Sequence, residues 1–192
     1  MSNRTLAACL LALTFSIGIA VNASTSAMPT QAQPTTAHDG SKDFDGLHGH
    51  WIVHNRKLAK RLAGSTTWIP FDATDEFQPL PGGLGLQEHY RTSYWKNFEA
   101  LSFNLYDPQT QQWTLYWVDN FNLPITLQPP LVGKFSGNTG DFEGPDTFGG
   151  KPILVRHIWK LQDKNHVAWE QAFSVDHGAS WETNWTMEFV RQ

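Results

Sequence analysis

Three histidines near residue 50 have a spacing that suits metal binding. His48, His50 and His54 form an H-x-H-x3-H pattern of one parity. On a strand, alternate residues share a face about 6.6–6.8 Å apart, so two such imidazoles can converge on zinc. Gly46 and Gly49 flank the pattern, which favours a turn at His48, and no partner carboxylate is identifiable nearby. We therefore interpret these residues as capping or solvated histidines, with a metal site as the alternative.

The densest basic cluster follows directly and suggests anion recognition. It consists of Arg56, Lys57, Lys60 and Arg61. Such a cluster can hold a carboxylate or a phosphate at the mouth of a barrel. The favoured interpretation is a solvated helix face, because residues 57–63 are strong helix formers and Gly64 is placed as a C-terminal cap. If His54 and Arg56 share a face, they would combine a general base with an anion clamp.

Two further motifs predict turns rather than chemistry. Residues 174–181, SVDHGASW, fit the Asp-box pattern S-x-D-x-G-x-[ST]-W, in which the aspartate accepts backbone N–H bonds within a hairpin. Residues 81–85, PGGLG, lack the Lys-Ser/Thr and the helix that a phosphate loop requires. Neither a G-x-S-x-G elbow nor an H-E-x-x-H motif occurs in the sequence.

The elements that must position these residues are short strands. Turn signals separate runs rich in aromatic and β-branched residues, which is typical of an all-β sandwich or barrel. The predicted strands lie near 49–55, 66–77, 84–92, 98–106, 112–119, 130–136, 140–147, 152–161, 166–175 and 181–190. One short helix near the N-terminus, over 57–63, completes the prediction.

The odd-numbered faces of the later strands are apolar but include polar residues. Indoles at Trp117, Trp169 and Trp185 alternate with polar neighbours, which indicates an antiparallel sheet with one buried side. The same buried faces carry four polar residues, namely Asp119, His157, Gln171 and Thr183. Because a buried polar group is costly unless it is paired, these residues either form a core network or line a ligand cavity.

The composition excludes several classes of protein. The chain has 192 residues, enough for one ordinary domain, and nine tryptophans, too many for a disordered chain. Its formal net charge is −4 at pH 7, whereas a general nucleic-acid binder needs a basic surplus. The single cysteine, Cys9, lies in the N-terminal segment. If that segment is removed, disulfides and cysteine nucleophiles are excluded.

The N-terminal segment predicts export. Residues 1–23 have Arg4 before an apolar run over 6–21, and this run of 16 residues is shorter than the roughly 20 needed to span a membrane. We therefore expect a signal peptide and no membrane span, and hence a periplasmic or secreted protein. Residues 24–42, rich in Ser, Thr, Ala and Pro, predict a flexible linker, and the folded domain is expected over 43–192.

Several segments together resemble the lipocalin-like (calycin) barrels. The opening FDGLHGHW contains the G-x-W signature, and further segments resemble a bacterial branch of that group with no settled activity. They are VHNRKL (53–58), YDP to Trp113 (106–113), GGKPI (149–153), WEQAFS (169–174) and ETNW (182–185). The resemblance covers roughly residues 43–192 and implies an eight- to ten-stranded antiparallel barrel whose cavity takes small, mostly apolar molecules. By analogy, Trp51 would plug the barrel floor, turning His54 and Arg56 outward unless a bulge or a helix intervenes.

The leading functional prediction is a binding protein for a small apolar or aromatic molecule. Trp117, Trp169 and Trp185 would form the wall, while Asp119, His157 and Gln171 would orient the polar end of the ligand. The sequence leaves the cofactor open, and His54 or His157 would be the axial donor if the ligand were haem.

Two alternatives stay open. One is an enzyme, a lyase, isomerase or hydrolase, in which His54 or His157 acts as acid or base and Arg56 or Arg156 holds a carboxylate. The other is an interaction module whose aromatic faces are only core. The sequence leaves the oligomeric state open.

Overall fold

Alternation of apolar and polar residues along ten runs of the chain produces ten strands. The computed structural model of the protein describes residues 38–192. Its strands are β1 (Gly49–Leu58), β2 (Trp68–Pro79), β3 (Gly85–Thr92), β4 (Phe98–Asp107), β5 (Gln112–Asp119), β6 (Leu131–Ser136), β7 (Thr139–Phe148), β8 (Lys151–Leu161), β9 (His166–Ser174) and β10 (Glu182–Arg191). The predicted ten-stranded, all-β architecture is confirmed.

The ten strands close into one antiparallel barrel. Each strand pairs with its neighbour along the chain, and β10 pairs with β1 through registers such as Trp51 opposite Arg191 and Lys57 opposite Trp185. Closure pairs the sheet edges that an open sheet would leave exposed. The barrel is consistent with a calycin-like fold.

The helix expected over 57–63 is not formed. Strand β1 continues to Leu58, and a turn follows it. Lys57 pairs with Ile69 on β2 and with Trp185 on β10, so cross-strand pairing overrides the helix propensity of the segment. The short helical turns near the N-terminus lie instead at Gly40–Lys42 and Asp45–Leu47. No helix within 38–192 is long and apolar enough to cross a membrane.

One end of the barrel is closed by aromatic side chains. The indole nitrogen of Trp51 donates to the carbonyl of Leu47 at 2.7 Å, and the Arg191 guanidinium lies 4.1 Å from the centre of the Trp51 ring. Edge-to-face contacts join the rings of this floor, which include Phe44, Trp113, Phe135, Phe142 and Trp159. The expectation that Trp51 plugs the floor is therefore confirmed.

The folded part includes residues just before Asp43. Gly40 is buried, its N–H donates to the Tyr106 hydroxyl at 3.1 Å, and its carbonyl accepts from the Trp113 indole at 3.1 Å. The predicted signal peptide, 1–23, and the predicted linker as far as residue 37 lie outside the described residues.

The Asp-box hairpin joins β9 to β10 and has a structural role. Asp176 accepts from the backbone N–H of Ser180 at 2.9 Å and from its hydroxyl at 2.5 Å, while Gly178 adopts φ +89°. These bonds to Ser180, together with one from Ser174, lower the pKa of the Asp176 carboxyl to about 2. They hold the tight turn in one geometry.

Candidate functional site

A cavity of about 610 Å³ occupies the barrel above the aromatic floor. Its volume lies within the range of about 300–1,000 Å³ that small-molecule sites have in proteins. All six residues predicted to contact a ligand line it: Trp117, Asp119, His157, Trp169, Gln171 and Trp185. All six have odd residue numbers, and the side chains that point into the barrel recur at every second residue of a strand.

Three indoles line the cavity from two sides: Trp169 and Trp185 lie on the neighbouring strands β9 and β10, and Trp117 lies on β5 across the barrel. The rings of Trp169 and Trp185 meet edge to face with centroids 5.8 Å apart. The indole nitrogen of Trp185 donates to the Asn55 side chain at 2.9 Å, and that of Trp117 donates to Asp119 at 3.0 Å. These bonds fix the rings of Trp185 and Trp117 in the cavity lining.

A chain of hydrogen bonds sets the tautomer of His157. It begins at the backbone carbonyl of Glu182, which accepts from the Asn184 amide at 3.3 Å. The Asn184 oxygen accepts from the Gln171 amide at 2.9 Å, and the Gln171 oxygen lies 3.2 Å from His157 Nε2. Because the Glu182 carbonyl can only accept, the Asn184 and Gln171 amides both donate toward Glu182 and direct their oxygens toward His157. Nε2 of His157 therefore carries the proton. His157 Nδ1 is left as a hydrogen-bond acceptor.

Burial keeps the imidazole of His157 uncharged. It lowers the pKa of His157 to about 4, against a smaller opposing effect of the Gln171 hydrogen bond. The ring also lies 4.7 Å from the centre of Trp169, at 67°. At neutral pH the cavity therefore contains a neutral, oriented imidazole.

Asp119 anchors the loop at the open end of the barrel. Its carboxylate accepts from the backbone N–H groups of Phe121 and Asn122, from the Asn122 amide and from the Trp117 indole. Asp119 lines the cavity as predicted, but these four donors occupy its oxygens. Its role in the structure is to hold Trp117 and the adjoining loop.

Two carboxyl groups are buried together beside the cavity. Glu88, on β3, accepts from the Ser102 hydroxyl and lines the cavity, while Asp75 lies beside it on β2. Burial, followed by the proximity of Glu88, raises the pKa of Asp75 well above its usual range. Two adjacent buried carboxyls do not both ionise, so Asp75 is held in its protonated form.

Two cations line the cavity near its open end. Lys57 Nζ lies 3.8 Å from the ring centre of Trp185 and 4.7 Å from that of Trp95. The Arg61 guanidinium lies 4.5 Å from the ring centre of Phe148. None of the ion pairs found within 38–192 includes Lys57 or Arg61. Burial and the charge of Arg61 lower the pKa of Lys57 to about 7.

Two further lining residues carry buried N–H donors without an acceptor. Neither the Asn104 amide nitrogen nor the Trp159 indole nitrogen has a hydrogen-bond partner among residues 38–192. A buried donor that is left unpaired costs about 1–3 kcal/mol. The cavity thus offers cations and N–H donors, which are the complement of a ligand that bears oxygen acceptors.

Comparison with known proteins leaves the family open. No protein-family model matches the chain, and no curated protein matches it. The resemblance to calycins therefore extends no further than the closed antiparallel barrel.

The proposed pair of His54 and Arg56 lies outside the cavity. Strand β1 is not interrupted by a bulge or helix, so both side chains face outward. His54 Nδ1 lies 2.8 Å from a carboxylate oxygen of Asp72, and Arg56 lies over the Trp68 ring at 5.6 Å. Arg156 also faces outward and lies over Trp181 at 4.3 Å. These residues cannot act as acid, base, clamp or axial ligand inside the barrel, and His157 is left as the histidine of the cavity lining.

The three histidines of the H-x-H-x3-H pattern do not converge. His48 precedes β1, His50 has its nearest carboxylate on Glu76 at 3.9 Å, and His54 is paired with Asp72. Within the described part of the chain no group of three or more His, Cys, Asp or Glu residues is placed to hold a metal ion. The geometry of these residues therefore gives no support to the alternative interpretation as a metal site.

The sequence favoured a solvated helix face for Lys57, with anion recognition at the mouth of a barrel as the alternative, whereas the structure places Lys57 in the cavity lining. Its parity is that of Trp51, Val53 and Asn55, all of which point inward. Extending the strand by two residues would have placed Lys57 on the inner face. The helix propensity of the segment concealed that signal.

Proposed function

We propose that the protein binds a small apolar or aromatic molecule that carries an acidic group. The proposal rests on one observation: a cavity of about 610 Å³ is lined by indoles and by two cations that form no ion pair within 38–192. Lining a cavity with unpaired cations is unfavourable, and an anionic ligand would offset that cost.

The arrangement gives the ligand a direction. The planar or apolar body would lie against Trp117 and Trp169, and the acidic group would face Lys57 and Arg61 near the open end. His157 Nδ1 would accept a hydrogen bond from a ligand hydroxyl or amine. Asn104 and Trp159 would donate to an acceptor deeper in the cavity.

Two dyes with the same aromatic skeleton test the proposal. The anionic dye 1-anilinonaphthalene-8-sulfonate and its neutral analogue N-phenyl-1-naphthylamine differ in the sulfonate. We expect saturable fluorescence enhancement with both dyes. Lys57→Gln should weaken binding of the anionic dye by about ten- to a hundredfold, the range for a charge-assisted contact, and change that of the neutral dye less than about twofold.

Two controls make the result specific to the cavity. Lys60→Gln removes an exposed lysine three residues away and should leave both affinities unchanged. Trp169→Ala removes part of the aromatic wall and should weaken both dyes together. Failure of either dye to saturate would refute binding in the cavity, whereas equal losses of both dyes in Lys57→Gln would refute recognition of the acidic group.

The natural ligand is sought by native mass spectrometry. The protein is isolated from an exporting host without harsh washing, and a bound mass that is lost on denaturation identifies the chemistry, whether lipid, haem or aromatic acid. A discrete acidic compound would support the proposal. A neutral ligand would limit it to apolar recognition.

The second candidate function is an enzyme that uses His157. The observation in its favour is a neutral imidazole whose Nδ1 is left as an acceptor in the cavity lining. Such a group is unprotonated at neutral pH, which is the form that accepts a proton from a bound compound. Conversion of a bound compound by the wild-type protein, lost in His157→Gln while affinity is retained, would favour catalysis.

We also propose that the protein is exported. The support comes from residues 1–23, with a short positive region followed by the apolar run and small residues near 21–27. The intact mass of protein recovered from a periplasmic or culture fraction tests this. A chain that begins between residues 22 and 28 is expected, and an uncleaved cytoplasmic chain would refute it.

A further inference from the structure

The loop between β5 and β6 exposes four large apolar side chains. We call residues 120–130 the mouth loop. Its apolar residues alternate, and their exposed fractions are 50% for Phe121, 79% for Leu123, 59% for Ile125 and 54% for Leu127. Exposed apolar residues that occur singly are ordinary, whereas a contiguous group marks an interaction site.

Exposed apolar residues are concentrated at the open end of the barrel. Nine large hydrophobic residues of the described chain are exposed. Six of them lie in loops at this end: the four of the mouth loop, Tyr94 in the β3–β4 loop and Val175 in the β9–β10 loop. The others are Leu84, Val132 and Val190, and Leu84 lies in a loop at the floor end. The patch therefore surrounds the entrance of the cavity.

The loops at the two ends differ in charge. Those at the open end contain Lys60, Arg61 and Lys96 but only one acid, Asp176. The segments at the floor end contain four acids, Asp39, Asp43, Asp45 and Asp163, and two lysines, Lys42 and Lys164. The loops at the open end thus carry a net positive charge, although the whole chain has a net charge of −4.

The mouth loop is fixed at both ends but exposed between them. Asp119 holds the N–H groups of Phe121 and Asn122, and the N–H of Gln128 donates to the Trp117 carbonyl at 2.7 Å. Phe121, Asn122, Gln128 and Pro129 also line the cavity. The exposed apolar residues are therefore presented next to the cavity entrance by a supported base.

We propose that the open end of the barrel docks on the surface of a membrane that contains anionic lipids. The apolar side chains of the mouth loop enter the headgroup region, and Lys60 and Lys96 attract the lipid charge. Burial of apolar side chains with nearby lysines is the combination that peripheral proteins use at bilayer surfaces. Docking in this orientation lets an apolar ligand pass between bilayer and cavity with little exposure to water.

Vesicle co-sedimentation tests the docking surface. The purified protein is mixed with vesicles of phosphatidylcholine alone or of equal parts phosphatidylcholine and phosphatidylglycerol. We expect binding to the anionic vesicles that falls with added salt. Leu123→Ser/Ile125→Ser/Leu127→Ser should weaken partitioning at least about tenfold. Lys60→Gln and Lys96→Gln should each weaken it about fivefold at low salt.

Leu84→Ser is the matched control. It removes an exposed leucine at the floor end and should leave partitioning unchanged. All variants keep the same N-terminal residues, so any contribution of that segment to vesicle binding is equal in each. Partitioning of the triple variant that equals that of wild type would overturn the proposal. A shift from dimer to monomer in the triple variant, without a change in vesicle binding, would also overturn it. That result would assign the patch to contact with a second copy of the chain.

Vesicle binding and dye binding test the docking surface and the proposed ligand site separately. The triple variant should bind 1-anilinonaphthalene-8-sulfonate within about twofold of wild type, which also shows that it is folded. Vesicle binding without dye binding would retain the docking surface and remove the ligand proposal. Dye binding without vesicle binding would retain the ligand proposal and remove the docking surface.

Discussion

Replacement of Lys57 by methionine is expected to stabilise the folded protein and weaken its anion binding. The ammonium group is held between the rings of Trp95 and Trp185, close to Arg61, and no carboxylate forms an ion pair with it within 38–192. Its pKa falls from 10.5 to about 7 through burial and the charge of Arg61. Protonated Lys57 therefore reduces the free energy of unfolding by about 3–5 kcal/mol.

The effect has a defined pH window. Because the pKa of Lys57 is about 7 in the folded protein and 10.5 in the unfolded chain, the unfolded chain binds more protons between these values. The free energy of unfolding of the wild type therefore gains a contribution that rises with pH across this window. Lys57→Met lacks that contribution. The variant should exceed the wild type by about 3–5 kcal/mol at pH 6, and the difference should disappear near pH 10.

Urea unfolding measured from pH 6 to pH 10 checks this prediction. The quantity compared is the difference in free energy of unfolding between variant and wild type, so other titrating groups cancel. Lys60→Met, at an exposed lysine, is the control and should show a flat difference close to zero. A difference for Lys57→Met that is independent of pH would falsify the assignment of Lys57 as a destabilised buried cation.

The same titration predicts how ligand affinity depends on pH. An anionic ligand favours the protonated ammonium, so binding raises the pKa of Lys57 and takes up a proton above pH 7. Affinity for 1-anilinonaphthalene-8-sulfonate should therefore fall as pH rises from 7 to 9. Isothermal titration in buffers with different ionisation enthalpies should show the proton uptake in wild type and its loss in Lys57→Met.

Three further predictions concern the polar groups around the cavity. Asp75→Asn keeps the shape of the side chain and removes an acid whose pKa is raised in the fold. Urea unfolding at pH 8 should therefore show a variant at least as stable as wild type, with the difference gone at pH 4. The pKa of His157 is about 4 in the fold and 6.5 when unfolded, so protonation of His157 lowers the free energy of unfolding of the wild type by about 3 kcal/mol between pH 7 and pH 4. His157→Gln should lack this decrease. An equal fall in the free energy of unfolding from pH 7 to pH 4 in variant and wild type, measured with urea, would contradict this. Asp119→Ala leaves four donors without their acceptor and should cost about 1–3 kcal/mol, with limited proteolysis showing faster cleavage at residues 121–127.

The fold was predictable because it depends on alternation and turns. Runs of period two separated by Gly, Asn and Asp predict strands whatever their partners, and all ten strands were placed within a few residues of their observed bounds. The error over 57–63 has a physical cause. Lysine, leucine, alanine and arginine favour a helix locally, whereas pairing with both β2 and β10 stabilises Lys57 in a strand.

The cavity was predictable only where parity decided which way a side chain points. Trp117, Trp169 and Trp185 were placed on its wall because they share the buried face of their strands. The Asp75–Glu88 pair was not predictable, because its contact depends on the register between β2 and β3, which no local pattern records. The mouth loop was not predictable either. Its apolar residues alternate as a strand would, and only the structure shows that they are exposed.

The polar groups of the cavity differ in whether the protein itself provides their partners. Asp119 has four donors, and His157 has Gln171 on one nitrogen. Lys57 and Arg61 contact aromatic faces, which are worth about 0.5–2 kcal/mol to a cation, and feel Asp119 and Glu182 respectively, but neither forms an ion pair within 38–192. A core network formed only for stability would pair every charge, as the four N–H donors around Asp119 do for its carboxylate. The lining also includes Asp146, which forms no ion pair within 38–192, but Lys57 and Arg61 lie close together, so an anion placed against them would offset their charge. This favours an acidic ligand over a neutral one.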